Sequence, residues 1–508
     1  MLRYWMTSKI INVHISFILL GAGDPRDEVS NAAKSYLYGM VHKFHANDSP
    51  QSDDKGHLLL PDFLEMSKMV IEKANMRIKT QQKVTIGSHV LPFSPGVYAE
   101  ILNYLRMCLI YNSGVVPHLD MLKDPQTEAP KIFEYICQFV VHQNNPFIQL
   151  KEISQNTSSK EVLKKLIHLN EIFLSATQGT PQAQCLLQLL GCSPSEEWSL
   201  DFQSKMPWLK SLLNNTKEDF REVSSQLYGQ VAASFPLGSN YVQCIADLIK
   251  GFKDKPLEFQ HGALLALAYT LNSRKDLESG TMSEFKQSTE LMIKNLSSET
   301  SHTLLMSAAC FALGEVGRRL ALPIDDDGEE MSKKFLYQRL LEITNSNKLH
   351  MKIRERAAIA LGQLCIGDVK FPWRHNILTG FLQSAKEIKD IELHFTIGEG
   401  LVFATLGPLS SMGRNVWRER KDDYKNSNVD GSISDKEIKF VLDELVDKYT
   451  LSNHPNEKQA SCIWLLALVK EAKDHHLIKE RLMEIQSAFM GLLGDSNDLV
   501  QDAASKGT

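Results

Sequence analysis

The chain has 508 residues, 43% hydrophobic and 23% charged, which is a globular composition and excludes disordered or collagen-like chains. Only 28 glycines and 18 prolines punctuate it, below average usage, so long helices with short joints are expected. Its 56 basic and 61 acidic residues leave a net charge of −5, so no global field favours nucleic acid or an anionic membrane.

Taken from the N-terminus, the first candidate element is the apolar run Ile10–Leu20, which follows Arg3 and Lys9. It resembles a secretory signal, but Gly21-Ala22-Gly23 is a poor cleavage site and eleven residues cannot cross a bilayer as a helix. A buried helix is the expected reading. Loops are expected at 48–56 (DSPQSDDKG) and 124–130, and residues 58–200 read as helical without a clean repeat, as in VYAEILNYLRMCLIY and KIFEYICQFVVH. The eight cysteines, Cys108, Cys137, Cys185, Cys192, Cys244, Cys310, Cys365 and Cys462, lie scattered in apolar runs without CxxC pairs. Reduced, buried thiols of a cytosolic or nuclear protein are expected from that pattern.

Six eleven-residue stretches superimpose without gaps: 221–231, 260–270, 306–316, 354–364, 394–404 and 458–468. Their eighth column reads Tyr228, Leu267, Leu313, Leu361, Leu401 and Leu465, and the ninth is Gly229, Ala268, Gly314 and Gly362 in the first four. The eighth-column steps are 39, 46, 48, 40 and 64 residues, and four of the five suit two-helix HEAT or armadillo units. Small residues are needed where neighbouring backbones approach, and large aliphatics where a helix fills the layer between repeats. An all-α solenoid of stacked HEAT/armadillo-like two-helix repeats, an α-α superhelix, is the predicted fold. At the ends, GDPRDEVSNAA (23–33) matches GDSNDLVQDAA (494–504), with Asp24 and Asp495 as caps or turn residues and Val29 and Val500 opening the buried stripe. Both ends read as cuts through a longer array, with exposed apolar end faces that favour aggregation. The predicted divisions are 1–57 (a truncated unit plus loop), 58–204 (divergent helical repeats), 205–406 (regular repeats), 407–436 (a charged insertion) and 437–508 (further repeats). They form one array of about ten or eleven units, which replaces the three or four domains that length alone suggests. The 64-residue step holds the insertion, whose 407–431 stretch is the expected mobile protrusion, and Asp325–Glu330 (DDDGEE) is an acidic loop within a unit.

One segment has the pattern of a twelve-residue calcium loop: Asn426, Asn428, Asp430 and Ser434 at positions 1, 3, 5 and 9, Gly431 at 6 and Glu437 at 12. Position 1 lacks the usual aspartate, the loop is unpaired, and the charged WRERKDDYK precedes it where an apolar helix belongs. Ordinary turn chemistry explains the string better, so no metal site is assigned. His475 and His476 would point about 100° apart on a helix and make a poor metal pair. The basic cluster of Arg414, Arg418, Arg420 and Lys421 around Trp417 reads as a solvated loop. No nucleophile elbow, phosphate-binding loop or HExxH helix occurs, so no catalytic residue and no cofactor is implied. A solenoid of this kind works by its surface.

The strings GAGDPRDEV (21–29), VLPFSP (90–95), YLRMCL (104–109), WLKSLLNN (208–215), EFQHGALLALAYT (258–270), AACFALGEVGR (308–318), FTIGEGL (395–401), ASCIWLLALVK (460–470) and LVQDAASKG (499–507) resemble the proteasome adapter and scaffold family, very large HEAT-repeat proteins. The resemblance runs in order along nearly the whole chain. It implies a non-enzymatic tether that holds the regulatory and core particles of the 26S proteasome together and senses faulty assemblies. It also implies links to endoplasmic reticulum, endosomes, centrosomes and motor proteins, from the cytoplasm and nucleus, with no nucleic acid and no transmembrane segment involved. The family offers no site residue to carry over, and around 407–431 this sequence departs from it. The other reading of the solenoid is an adaptor of nuclear transport or vesicle trafficking that binds cargo or a small GTPase.

Overall fold

The computed structural model describes residues 198–507 apart from 237, 274–280, 298–301 and 414–430, together with a strand pair at 84–91 and scattered helical residues between 28 and 190. The chain divides into two compact units, 1–234 and 235–508, a boundary that falls within the 205–406 stretch of the sequence reading.

In the first unit, β1 (Val84–Ile86) and β2 (His89–Leu91) pair antiparallel, Val84 opposite Leu91. The helical reading of 58–200 did not foresee them. The β-branched run VTI, and Gly87-Ser88 between two short apolar stretches, carried the opposite signal. Three helices follow, α1 (Ser199–Gln203), α2 (Met206–Leu212) and α3 (Glu218–Ser234). Phe202, Leu209, Leu212, Phe220, Leu227 and Tyr228 bury the apolar stripe of all three. Arg221, almost fully buried, turns its guanidinium back to the Asn215 and Thr216 carbonyls at 2.7 and 2.9 Å and so fixes the turn that enters α3.

The second unit is a two-layer stack. One layer holds α4 (Ser239–Ile249), α6 (Met282–Ser297), α8 (Lys333–Asn345), α10 (Arg374–Ser384) and α12 (Gly431–Glu444). The other holds α5 (Leu257–Asn272), α7 (Thr303–Gly317), α9 (Met351–Gly367), α11 (Ile391–Leu406), α13 (Pro455–Ala472) and α16 (Asp498–Gly507). A π-helical turn (Leu445–Tyr449) prolongs α12, and α14 (His476–Glu480) and α15 (Leu482–Leu492) complete the first layer before α16. Each helix of the second layer packs on the next, α5 on α7 on α9 on α11 on α13 on α16, while each also touches a partner in the first layer. This alternation is the two-helix solenoid that the repeat columns predict.

Every superimposed stretch lies on a second-layer helix or on α3, and all six eighth-column residues are buried. The small columns have a defined use. A Cβ placed on Gly314 would lie 2.9 Å from the Ala360 Cα, and one on Gly362 would lie 2.8 Å from the Gly400 Cα. At these two joints the ninth column of one unit sits on the seventh column of the next, and neither Gly314 nor Gly362 admits a side chain. First-column bases lock the turns between layers. Arg354 donates to the Thr344 carbonyl at 3.0 Å and pairs with Asp390 at 2.8 Å, and Lys458 pairs with Asp495 of the following unit at 3.4 Å. Asp495 is a turn residue, accepting from the Asn497 amide at 3.0 Å, while the Asn497 side chain accepts the Leu499 amide of α16 at the same distance; Val500 opens the buried stripe.

The acidic loop between α7 and α8 is tied down. Trp373 Nε1 donates to the Asp326 carbonyl at 2.8 Å, and Lys333 bridges Asp326 and Asp368 at 2.8 and 2.7 Å. The start of the 407–431 insertion is also core, not protrusion: Gly407, Pro408 and Ser410 are buried, and Gly413 N–H donates to Ser410 Oγ at 3.0 Å. The basic cluster 414–421 lies outside the described residues, as do Ile10–Leu20, Cys108, Cys137, Cys185 and Cys192. Cys244, Cys310, Cys365 and Cys462 are buried and form no disulfide, and burial pushes the last three thiols up to about 12. Among the described residues no helix is long and apolar enough to cross a membrane. Helix α15 leaves Met483 and Met490 largely exposed on its outer side.

Candidate functional site

Of the calcium-like segment, Asn426, Asn428 and Asp430 lie outside the described residues. Ser434 and Glu437 sit on α12, which already begins at Gly431, so the second half of the string is helix. Both side chains are spent within the fold. Ser434 Oγ donates to the Leu406 carbonyl at 3.3 Å, and the buried Glu437 meets His375 Nδ1 at 3.2 Å. Ser434 completes a cap on α11: Arg374, itself buried, donates to the Ala404 and Thr405 carbonyls at 2.5 and 2.6 Å, so the last three carbonyls of that helix have partners. Burial lowers the Arg374 pKa, with Cys365 and Glu437 opposing the shift.

Asp435, next to Ser434, has a different environment. It meets His475 Nε2 at 3.2 Å and His476 Nε2 at 3.8 Å, from α12 to the start of α14. Burial, then the neighbouring His476, lowers the His475 pKa against the pull of Asp435. Sequence reasoning put both histidines on one helix and dismissed them as a pair. In the fold His475 precedes α14 with extended backbone angles, φ −71° and ψ 138°, and its Nδ1 accepts the Leu477 amide. Nothing in the sequence linked Asp435 to residues forty positions on.

The half-buried edge of the second layer offers contact chemistry of another kind. Tyr269 of α5 and Phe311 of α7 meet with ring centroids 5.8 Å apart, and the Arg356 guanidinium of α9 lies over Phe311 at 5.3 Å. Beside them Asn272 and Arg318 both donate to Glu315, at 2.8 and 2.9 Å, which links α5 to α7. Further along, Phe395 of α11 is 53% exposed, and partial burial raises the pKa of Glu399 one turn on. These are ring, cation and amide groups held in place by the stack. Among the described residues they form an edge for contact, without a nucleophile beside a base.

Comparison with known proteins matches this architecture. The family model described as ECM29, ARM-like repeats matches residues 112–316. A human protein named proteasome adapter and scaffold protein ECM29 is 36% identical over 96% of this chain, which covers 27% of that protein. Over this stretch the chain is homologous to the proteasome adapter and scaffold family. A Drosophila melanogaster protein named proteasome-associated protein ECM29 homolog is 27% identical over 96% of the chain and is likewise covered to 27%. The chain thus spans about a quarter of the length of these ECM29 relatives. Solved structures that resemble it include Kap95p bound to RanGDP, at 12% identity, 99% of this chain, 62% of that chain and a TM-score of 0.47. Yeast importin-β (Kap95p) is another, at 10% identity, 98% and 68% coverage and a TM-score of 0.41. Neither score reaches 0.5, and no function follows from either.

Proposed function

We propose that this chain is a stretch of a non-enzymatic adaptor that binds the 26S proteasome, tethers its regulatory and core particles, and links it to other cell components in protein degradation and quality control. The observation that carries this reading is the 36% identity, sustained over 96% of the chain, to a protein named as a proteasome adapter and scaffold. The architecture supports it. Stacked helix pairs leave a half-buried edge with a few aromatic and arginine anchors, the composition of a contact surface. The proposed setting is the cytoplasm and nucleus, peripheral to endoplasmic reticulum, endosomes and centrosomes, with endosomal, reticulum and motor proteins as further partners.

Affinity purification of the tagged chain from cells, followed by mass spectrometry, tests the proposal. Proteasome subunits are the expected co-purifying set. An intact, well-expressed chain that never brings them down overturns it, and enrichment of small GTPases or transport cargo would favour an adaptor of nuclear transport or trafficking instead.

A further inference from the structure

Adjacent residues on a continuous α-helix diverge by about 100°, which ordinarily keeps two neighbouring histidines from sharing a ligand. His475 and His476 escape that rule because the helix starts between them: His475 is extended, and His476 is the first residue of α14. Their rings lie 4.6 Å apart and only 32° from parallel. Both Nε2 atoms approach the two oxygens of one carboxylate, Asp435 Oδ1 at 3.2 Å and Oδ2 at 3.8 Å. One donor atom from each of the three residues lies within 4.8 Å of the other two. A hydrogen bond accounts for His475 on Asp435. It does not account for His476, whose side chain is 56% exposed yet leans toward the same carboxylate from its other oxygen.

We propose that Asp435, His475 and His476 form a three-ligand site for a borderline divalent transition metal, zinc in the first instance, with water completing the tetrahedron. Two imidazoles and one carboxylate are the donor set such ions take, whereas calcium requires six to eight oxygens and would find one carboxylate here. Zinc bonds of about 2.0–2.1 Å place tetrahedral ligands roughly 3.3 Å apart, so the His475–Asp435 distance already fits and His476 closes by a rotation its exposure allows. His475 Nδ1 now accepts the Leu477 amide at 3.4 Å, which leaves the ring proton on Nε2. Metal binding moves that proton to Nδ1 and gives up this long capping bond. The ion then joins α12 to the start of α14, two elements separated by the whole of α13. Neither the adaptor reading nor the homology is required for it.

The test uses the whole 508-residue chain, stripped with a chelator and titrated with Zn²⁺ by calorimetry and with Co²⁺ by visible absorption. His476→Gln and Asp435→Asn alter partly exposed side chains, and each is expected to melt like the parent when metal-free. One binding event should weaken at least the 10–100-fold that even outer-shell changes cost at metal sites, with loss of the tetrahedral cobalt spectrum and of the zinc-dependent rise in melting temperature. Unaltered titrations in both variants, or no zinc or cobalt binding by the parent chain, overturn the site. Calcium binding that both variants abolish overturns the assignment of the metal.

Discussion

Two kinds of joint hold the second layer together. Between α7 and α9, and between α9 and α11, glycine and alanine let backbones meet: Gly314 on Ala360, Gly362 on Gly400. Between α11 and α13 the seventh column is Trp464, fully buried, with its indole edge 3.1 Å from where a Cβ on Gly398 would stand and its Nε1 donating to the His394 carbonyl at 2.8 Å. This is the joint that follows the 64-residue step. The same two-helix plan is thus closed either by contact of bare backbones or by one large side chain that fills the layer and pins it with a hydrogen bond. The first solution tolerates no addition, and the second tolerates no removal.

That contrast is open to direct attack. The largest effect is expected from Trp464→Ala, which leaves an indole-sized hole in the layer and should cost about 3–5 kcal/mol. A thermal melt of the variant within a degree of the parent would show that the joint does not rest on the indole. Gly362→Val attacks the other solution. Because the obstacle is the Gly400 backbone, the cost should reach the upper end of overpacking, about 3 kcal/mol, with little change in denaturant slope. A neutral result would mean that α9 and α11 are farther apart than described.

The smallest effect is pH dependence at the tryptophan joint. His394 is almost wholly buried, its Nε2 meets the Ile388 carbonyl at 3.1 Å, and burial lowers its pKa against the pull of that carbonyl and Asp390. A histidine with a depressed folded pKa binds fewer protons folded than unfolded. Its contribution is therefore complete above the unfolded value near 6.5 and is lost as pH falls through the folded one. Denaturation midpoints should drop on acidification from pH 7 to 5, less steeply in His394→Gln. Equal slopes in the two proteins would remove His394 from the account.

The columns of small and large residues made the second layer legible, since a helix packed on both sides must repeat the same sizes at the same turns. Gly362 and Leu361 could be placed from sequence because their roles are set within one unit or against the next. Other features depend on distances that no local pattern encodes. Ser434 and Glu437 read as part of a turn that fits the calcium-loop pattern, because Asp, Asn, Gly and Ser serve turns and calcium loops alike, and only the position of α11 and His375 shows them as framework. The two histidines were placed on one helix from a local pattern, and that placement fails on a single dihedral, since His475 is extended at ψ 138°. The hairpin at 84–91 was overlooked because a helical expectation was carried into a stretch where the repeat signal had lapsed.

The buried thiols offer a clock. Cys310, Cys365 and Cys462 stand one each on α7, α9 and α13, and none can react as a thiolate while its helix stays closed. In a stack whose units hold mainly to their neighbours, opening is local and can be graded along the array. Alkylation rates of single-thiol variants would read the order in which these helices come undone, with the protein supplying its own reporters.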